Sequence, residues 1–407
     1  MKYPKFNLRQ VTRPGVVATA VALAMSLPAG AAPWEWHPSI EAGYLFDDNY
    51  RLATPGDEVD VQGPLVDAEL ELRTLTQKSE FTFTPRIRAT YFPDATDLDA
   101  VDYFANVNWL YTGQRTRTRV RADFAQQDIV NSEQPGVDDG GDLGDPDLGD
   151  GGLVLVDNRR TRFNLRPSMN FEISPRRELA FDVGYTDVSF DEQVAGAQVD
   201  YKTTEASAAL VSRLNETSTL TTRISGARYD ISTTEVSDGY GAEVQWDRRT
   251  AADTRAYLRG GAENVEVPGG DDELTWLIGA GVSFLIGRNE LFADLSRNVG
   301  PSSVGELVAR DQLRVRWTRA MTPRLSLLGG LRGTQDDGLG DTSTYRPRSY
   351  ATGDLGVQWR LQEEFSLRFA LDYTWQEFDD AVDDATSSGA IISFLYQPLQ
   401  SRRARND

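Results

Sequence analysis

The chain has 407 residues, a formal net charge of −20, one histidine and no cysteine. Without cysteine or a second histidine, disulfides, thiol catalysis and the usual zinc sites are excluded. The single histidine, His37, lies just before the first predicted strand, where it is interpreted as an interfacial anchor or as a residue without a functional role. A glycosidase that uses carboxylates alone stays open, but no pair stands out. We therefore expect no enzymatic activity, no cofactor and no metal site.

The first 31 residues have the organisation of a secretory signal peptide. Lys and Arg residues precede an apolar stretch at 16–27, and small residues follow at 29–31. The apolar stretch is too short to span a bilayer as a helix, which needs about 20 residues. We predict cleavage after Ala31 and a short periplasmic lead at 32–38.

Apolar and polar residues alternate along most of the remaining chain. In the segment 79–92, Phe81 and Phe83 share one alternation, whereas Arg86 and Arg88 share the other. Because successive side chains of a strand point to opposite faces, this segment is a strand with one apolar and one charged face. The same period recurs over about 18 segments of roughly ten residues each. Convincing amphipathic helices are lacking, so the sequence predicts an all-β fold.

The predicted strands are joined by two kinds of connector that alternate strictly. Short turns, as at 77–78, take every second place, and longer connectors, as at 129–158, take the others. Short periplasmic turns and long extracellular loops are typical of outer-membrane barrels. We predict a transmembrane antiparallel β-barrel at 39–396, located in the cell outer membrane, and a periplasmic tail at 397–407.

The longer connectors carry most of the acidic runs, including the run at 135–152. Long acidic extracellular loops are therefore expected, and such runs are usually solvated surface. The alternative is that they gather divalent cations, which would bridge to the phosphates of lipopolysaccharide or to an anionic polymer. The spacing around Asp145 resembles a calcium loop only loosely, so no metal site is assigned there.

The apolar face of the strands has two possible neighbours. In a soluble β-sandwich it packs against a second sheet, and in a barrel it contacts lipid. Uniform strand length, connectors segregated by length and outward aromatic residues near strand ends favour lipid. The predicted aromatic belts comprise Trp109, Trp246, Trp317 and Trp359 toward the short turns, and Tyr91, Trp276 and Trp375 toward the long loops.

A two-residue turn at 77–78 fixes the register of the first hairpin. Apolar residues then face apolar residues on one side and opposite charges face each other on the other, which a slip by one residue would destroy. The opposed pairs predicted are Ala68–Ile87, Leu72–Phe83, Asp67–Arg88 and Glu69–Arg86.

The charged face is predicted to line a wet lumen, which at this strand number is wide enough for an aqueous channel unless it is plugged. Its arginines either form a selectivity stripe for an anionic solute or pair with carboxylates across strands and brace the wall. No plug domain precedes the first strand, although a loop such as 129–158 can fold inward. The lumen-lining candidates are Asp67, Glu69, Glu71, Arg86, Arg88, Arg119, Arg121, Arg162, Arg166, Arg314 and Arg316.

Two segments resemble a known family. These are "IEAGYLFDDNYRL" (40–52), which opens the barrel, and 291–327, which spans two strands with their loop and turn. Both are similar to the β-barrel porins associated with exopolysaccharide biosynthesis and export systems of Gram-negative bacteria. The resemblance implies the outer-membrane part of a polysaccharide secretion route, working with a periplasmic polysaccharide-export protein. Its motifs describe barrel architecture, so no substrate-contacting residue is implied.

Three functions follow as hypotheses. The first is a conduit for a secreted polysaccharide, the second a general diffusion porin for small hydrophilic solutes, and the third a non-conducting structural or adhesive barrel that displays acidic loops. Few aromatic side chains are predicted to face inward, which argues against a sugar slide of stacked rings. The expected partners are outer-membrane lipid, lipopolysaccharide and the barrel-assembly machinery, for which the last strand (387–397) suits an assembly signal; no nucleic acid is expected.

Overall fold

The computed structural model describes residues 34–133, 158–192, 198–251, 254–267, 270–340, 343–379 and 383–398. The predicted signal peptide, the acidic run 135–152 and nearly all of the predicted tail lie outside the described residues. Within these ranges, no helix is long and apolar enough to cross a membrane.

The described chain forms one antiparallel sheet of 18 strands, as predicted. Each strand pairs with its neighbours in the chain, and the first strand pairs with both the second and the last, so that the sheet closes into a barrel. The helical elements among the described residues are a 3₁₀ turn at Thr96–Leu98 and a short helix, α1, at Ile129–Glu133. The strands are β1 (Trp34–Asp47), β2 (Val61–Leu75), β3 (Ser79–Thr90), β4 (Ala100–Thr112), β5 (Thr116–Asp128), β6 (Arg159–Ser174), β7 (Arg177–Phe190), β8 (Tyr201–Arg213), β9 (Ser218–Ile231), β10 (Ser237–Ala251), β11 (Thr254–Val265), β12 (Glu273–Ile286), β13 (Asn289–Pro301), β14 (Leu307–Ala320), β15 (Leu325–Gly338), β16 (Arg348–Arg360), β17 (Phe365–Phe378) and β18 (Ala385–Tyr396).

The two ends of the barrel differ in the length of their connectors. One end carries short turns, such as 287–288 between β12 and β13, and the other carries longer connectors, such as 48–60 between β1 and β2. Short turns mark the periplasmic end of an outer-membrane barrel, so the longer connectors are extracellular.

The register of the first hairpin agrees with the sequence analysis. The backbone N–H of Thr76 donates to the carbonyl of Ser79, which closes a two-residue turn at 77–78. This turn sets every later pair of the hairpin, because strand pairing advances one residue at a time on each side. The aligned pairs include Asp67 with Arg88, Ala68 with Ile87, Glu69 with Arg86 and Leu72 with Phe83.

The outer surface of the barrel is apolar, because the exposed large hydrophobic residues of the strands fall on the outward alternation, apart from Leu75 and Leu285 at the periplasmic ends of β2 and β12. Leu355 on β16 is 68% exposed, and its cross-strand partner Leu371 on β17 is 50% exposed. A wall of this kind is stable only against hydrocarbon, since water would leave far more apolar area uncovered than a soluble protein tolerates. The backbone groups behind it are paired in the closed ladder, as lipid requires.

The barrel begins earlier than residue 39, and this corrects the predicted boundary. Trp34 to Ser39 already pair with β2, whereas pairing with β18 starts at Ile40. One edge of this N-terminal part of β1 is therefore open, which allows Pro38, with no N–H to donate, to lie inside a strand. Most of the predicted periplasmic lead belongs to the first strand.

Replacing Leu355 by Arg is expected to destabilise the barrel in lipid vesicles by about 2–4 kcal/mol, because a cation would face the hydrocarbon core. The measurement is urea-induced unfolding followed by tryptophan fluorescence. The matched control is Gln358→Arg on the same strand, whose side chain takes the opposite alternation and faces the lumen. Equal losses of stability in the two variants would contradict the assignment of faces.

Candidate functional site

The inward alternation of the strands lines the lumen with charged side chains. All eleven lumen-lining candidates take this alternation: Asp67, Glu69 and Glu71 on β2, Arg86 and Arg88 on β3, Arg119 and Arg121 on β5, Arg162 and Arg166 on β6, and Arg314 and Arg316 on β14. These strands thus present a charged wall to the interior of the barrel below its extracellular mouth.

Asp67 holds two arginines of the neighbouring strand. Its carboxylate accepts hydrogen bonds from Arg86 at 2.8 and 2.6 Å and from Arg88 at 3.0 Å. Arg86 therefore reaches diagonally to Asp67, although Glu69 lies directly opposite it in the register. Long side chains span such diagonals easily. At this point of the lumen the arginines brace the wall, which is one of the two alternatives that the sequence left open.

The two arginines of β14 have different surroundings. Arg314 donates to Asp294 at 3.2 Å, and Asp294 also accepts a hydrogen bond of 2.7 Å from the Tyr257 hydroxyl. This group is almost fully buried, so it fixes β11, β13 and β14 against one another. Both guanidinium groups lie over the ring of Phe292, that of Arg314 5.5 Å and that of Arg316 4.5 Å from its centroid.

Three arginines of β5 and β6 line an internal cavity of about 500 Å³. Arg119, Arg121 and Arg166 lie on one wall, and Arg259 and Asn298 lie on strands farther around the barrel. Arg121 and Arg166 are direct cross-strand partners, a placement of like charges that is unfavourable in itself. Arg162 faces the lumen one inward position beyond Asn164, closer to the extracellular end.

The seven predicted belt residues all take the outward alternation, Tyr91 just after the end of β3 and the others within strands. Trp276 and Trp359 are among the most exposed of them. The indole N–H of Trp375 donates to the Asp384 carboxylate at 2.9 Å, and this hydrogen bond holds the pKa of Asp384 below its usual range. Trp34 and Trp36 also point outward near the periplasmic rim, where the sequence analysis had placed a lead instead of a strand.

An apolar cluster occupies the extracellular mouth of the barrel, and we call it the cap. Its residues come from the extracellular ends of strands and from the longer connectors, and they reach across from β2 to β14. Tyr50 and Phe92, for example, pack edge to face at 5.2 Å, and burial raises the pKa of Tyr50. The cap consists of Tyr50, Val61, Phe92, Leu98, Ile129, Val130, Val188, Phe190, Val199, Tyr201, Tyr229, Ile231, Val265, Val299, Leu307, Ala309 and Leu339.

The extracellular tip of the β13–β14 hairpin folds into the mouth as part of this closure. In this segment, 298–310, called the tongue below, residues of both alternations are buried, including Val299, Ser303 and Val308. The backbone N–H of Val199, in the β7–β8 connector, donates to the carbonyl of Ser303 at 2.8 Å. Gly305 has a φ of +91°, and a Cβ there would lie 3.0 Å from the Thr233 hydroxyl, so glycine suits this close approach.

Glu306 at the tip of the tongue fastens it to the β15–β16 connector. The carboxylate accepts hydrogen bonds at 3.1 Å from the backbone N–H groups of Thr344 and Tyr345. The hydroxyls of Ser343 and Thr344 donate to the same carboxylate. One side chain thus gathers several charge-assisted hydrogen bonds, each stronger than a neutral one. Glu306 is therefore a principal attachment of the tongue, beside the Val199–Ser303 hydrogen bond and the apolar packing of the cap.

The sequence analysis did not identify the tongue, although a signal for it exists. Leu307, Val308 and Ala309 are apolar in succession, which breaks the alternation of a lipid-facing strand. A continuous apolar run indicates a strand covered on both faces. Of the loop considered as an inward plug, α1 contributes Ile129 and Val130 to the cap, and 134–157 lies outside the described residues.

The other features that could support chemistry are the single histidine and the acidic side chains. His37 faces the lumen near the periplasmic rim, with Nε2 3.8 Å from the Glu35 carboxylate. No group of three or more acidic or histidine side chains suited to a metal ion occurs among the described residues.

No family model matches the chain, and no curated protein is detectably similar to it. Among solved structures, the chain is similar to OccK2 (OpdF) of Pseudomonas aeruginosa in complex with glucuronate, with 10% identity over 90% of this chain and 98% of that one and a TM-score of 0.46. It is also similar to OpdK of the same organism with vanillate (12% identity, 89% and 98% coverage, TM-score 0.45) and to its siderophore receptor PirA (10% identity, 90% and 80% coverage, TM-score 0.44). Similarity at this level does not assign the chain to a family.

The geometry itself defines the class. A closed antiparallel ladder, an apolar exterior with aromatic residues near both rims and a charged interior make this chain an outer-membrane β-barrel.

Replacing Asp67 by Asn is expected to lower the free energy of unfolding by about 1–3 kcal/mol, because two arginines lose a shared charged acceptor. Urea unfolding in detergent micelles measures the change. Glu71→Gln is the matched control, since it removes the same charge from the same face of β2 and Glu71 has no ion pair among the described residues. Equal losses of stability in Glu71→Gln and Asp67→Asn would show that the ion pairs of Asp67 with Arg86 and Arg88 do not stabilise the barrel.

Proposed function

We propose that this barrel is a gated outer-membrane conduit for a hydrophilic cargo, and that the cargo is a secreted polysaccharide. The observation that carries the proposal is the combination of a charged lumen with an apolar cap at its extracellular end. A pore that stands open for diffusion has no need of such a closure. A conduit that passes cargo only when it is driven from the periplasm does need one.

The polysaccharide cargo is supported by the sequence resemblance of segments 40–52 and 291–327. Polar side chains along the lumen suit a chain of hydroxylated sugars, which hydrogen-bonds to arginine and carboxylate groups alike. The inward aromatic residues Phe104, Tyr229, Tyr257 and Phe292 lie on separate strands. Weak, distributed contacts of this kind favour passage of the chain over tight retention.

Gating by the tongue has a definite energetic basis. Moving it outward would expose Val299, Leu307 and Val308, and full exposure of a buried aliphatic side chain costs about 1.5–3 kcal/mol. Release of the hydrogen bonds of Glu306 adds to this cost. The closed state therefore dominates unless cargo or a periplasmic export protein offsets the difference.

A diffusion channel for small solutes is the second candidate, and the size of the internal cavities favours it. The cavities of about 500 and 680 Å³ have the volume of small-molecule sites rather than of a continuous polymer track. In this alternative the cap opens spontaneously and often. Electrical recordings separate the two readings.

In planar bilayers the protein is expected to be mostly shut, and Glu306→Ala is expected to raise the open probability severalfold by releasing the tongue from the β15–β16 connector. Glu235→Ala is the matched control, because Glu235 is exposed on the β9–β10 connector at the same rim. A wild-type pore that stays open at a large, steady conductance would support the diffusion porin and contradict gating.

Deletion of the gene in its host is expected to abolish surface polysaccharide while intracellular precursor persists. Immunofluorescence of whole cells and of lysed cells measures the two pools. Complementation with the wild-type gene restores the surface pool, and complementation with the Glu306→Ala variant tests whether gating matters for export. Unchanged surface polymer in the deletion strain would overturn the polysaccharide role.

A further inference from the structure

A second cavity, of about 680 Å³, opens at the periplasmic end of the lumen. It lies near the short turns, since its lining includes Arg255 at the start of β11, Glu290 at the start of β13 and Arg368 near the start of β17. Cargo that enters from the periplasm meets this cavity before it meets the rest of the lumen. The ionisable groups that line it are Arg255, Glu290, Arg316, Asp354 and Arg368.

In the described part of the chain, Arg316 is positioned by stacking on an aromatic ring and not by an ion pair. It is the direct cross-strand partner of Phe292, and its guanidinium carbon lies 4.5 Å from the centroid of that ring. Among the described residues, no carboxylate lies within ion-pair distance of Arg316 and no hydrogen-bond acceptor is assigned to it. Arg255, by contrast, pairs with Asp247 at 3.2 Å.

The stacking leaves the donors of Arg316 available. A guanidinium that lies over an aromatic face contacts the ring through its plane, whereas its five N–H donors point outward along its edge. The ring restricts the rotamers of a long side chain, so less entropy is lost when the fork closes on a ligand. A planar fork of this kind matches a carboxylate or a phosphate in bidentate geometry.

We infer that Arg316, held over Phe292, binds an anionic group of the cargo at the periplasmic mouth of the barrel. The ligand class is a sugar that carries a carboxylate, sulfate or phosphate, and the carboxylate of a uronic acid is the simplest member. This inference rests on the proposed function, because it names the class of substrate that the conduit takes up. Glu290 and Asp354 in the same cavity would repel excess negative charge and keep retention weak.

The test is binding of D-glucuronate to the purified mature protein in detergent, measured by isothermal titration calorimetry, with D-glucose as the neutral control. Arg316→Gln is expected to weaken glucuronate binding by about tenfold or more, because a charge-assisted bidentate contact is lost. Phe292→Leu, which removes the ring but keeps the cation, is expected to weaken it by about threefold. Arg319→Gln, on the opposite face of the same strand, should bind as the wild type does.

Folding of every variant is checked by heat-modifiable migration in gel electrophoresis. If Arg316→Gln does not fold, Arg316→Lys takes its place, since it keeps the charge and loses the fork, and weaker binding is again expected. Glucuronate binding that is unchanged in the Arg316 variant, absent from the wild type or matched by glucose would overturn the inference.

The readout separates this inference from the proposed function. Loss of glucuronate binding in Arg316→Gln, together with normal surface polysaccharide in the deletion strain, would leave the site standing and remove the polysaccharide role. Loss of surface polysaccharide in the deletion strain, together with unchanged binding in Arg316→Gln, would remove the site and leave the role.

Discussion

Hydrocarbon offers no hydrogen-bond partner, and this constraint governs the whole molecule. Every backbone N–H and C=O on the wall must pair within the protein, which a sheet achieves only by closing on itself. The ladder from β1 through β18 and back to β1 does so. In the closed barrel each strand contacts lipid on its outer face and the lumen on its inner face. The sequence therefore alternates between apolar and polar residues.

A charged interior follows from the same division, and it creates a second requirement. Arginines and carboxylates on facing strands must be arranged so that the wall does not repel itself. Asp67 shared by Arg86 and Arg88, and Asp294 shared by Arg314 and Tyr257, meet this requirement. The cap and tongue are the exception, because there an apolar body fills the end of a polar tube. The cap and tongue therefore serve a purpose other than stabilising the barrel wall.

Much of the architecture was predictable because a period of two is a strong signal when one face meets lipid. The strand number, the alternating connectors and the register set by the turn at 77–78 all came from that signal. Side-chain pairing was less predictable, because Arg86 reaches past Glu69 to Asp67 and no rule of register fixes such diagonals. The tongue was not predicted, because a segment that bends into the mouth is buried on both faces and does not show the two-residue alternation. The first strand began early because the open edge of β1 tolerates Pro38.

The seam between β1 and β18 gives the barrel a weak line. β1 is aligned with β2 over fourteen positions but with β18 over only eight. This short ladder makes the seam the place where the closed barrel opens most easily, so the stability of the whole cylinder depends on those eight pairs.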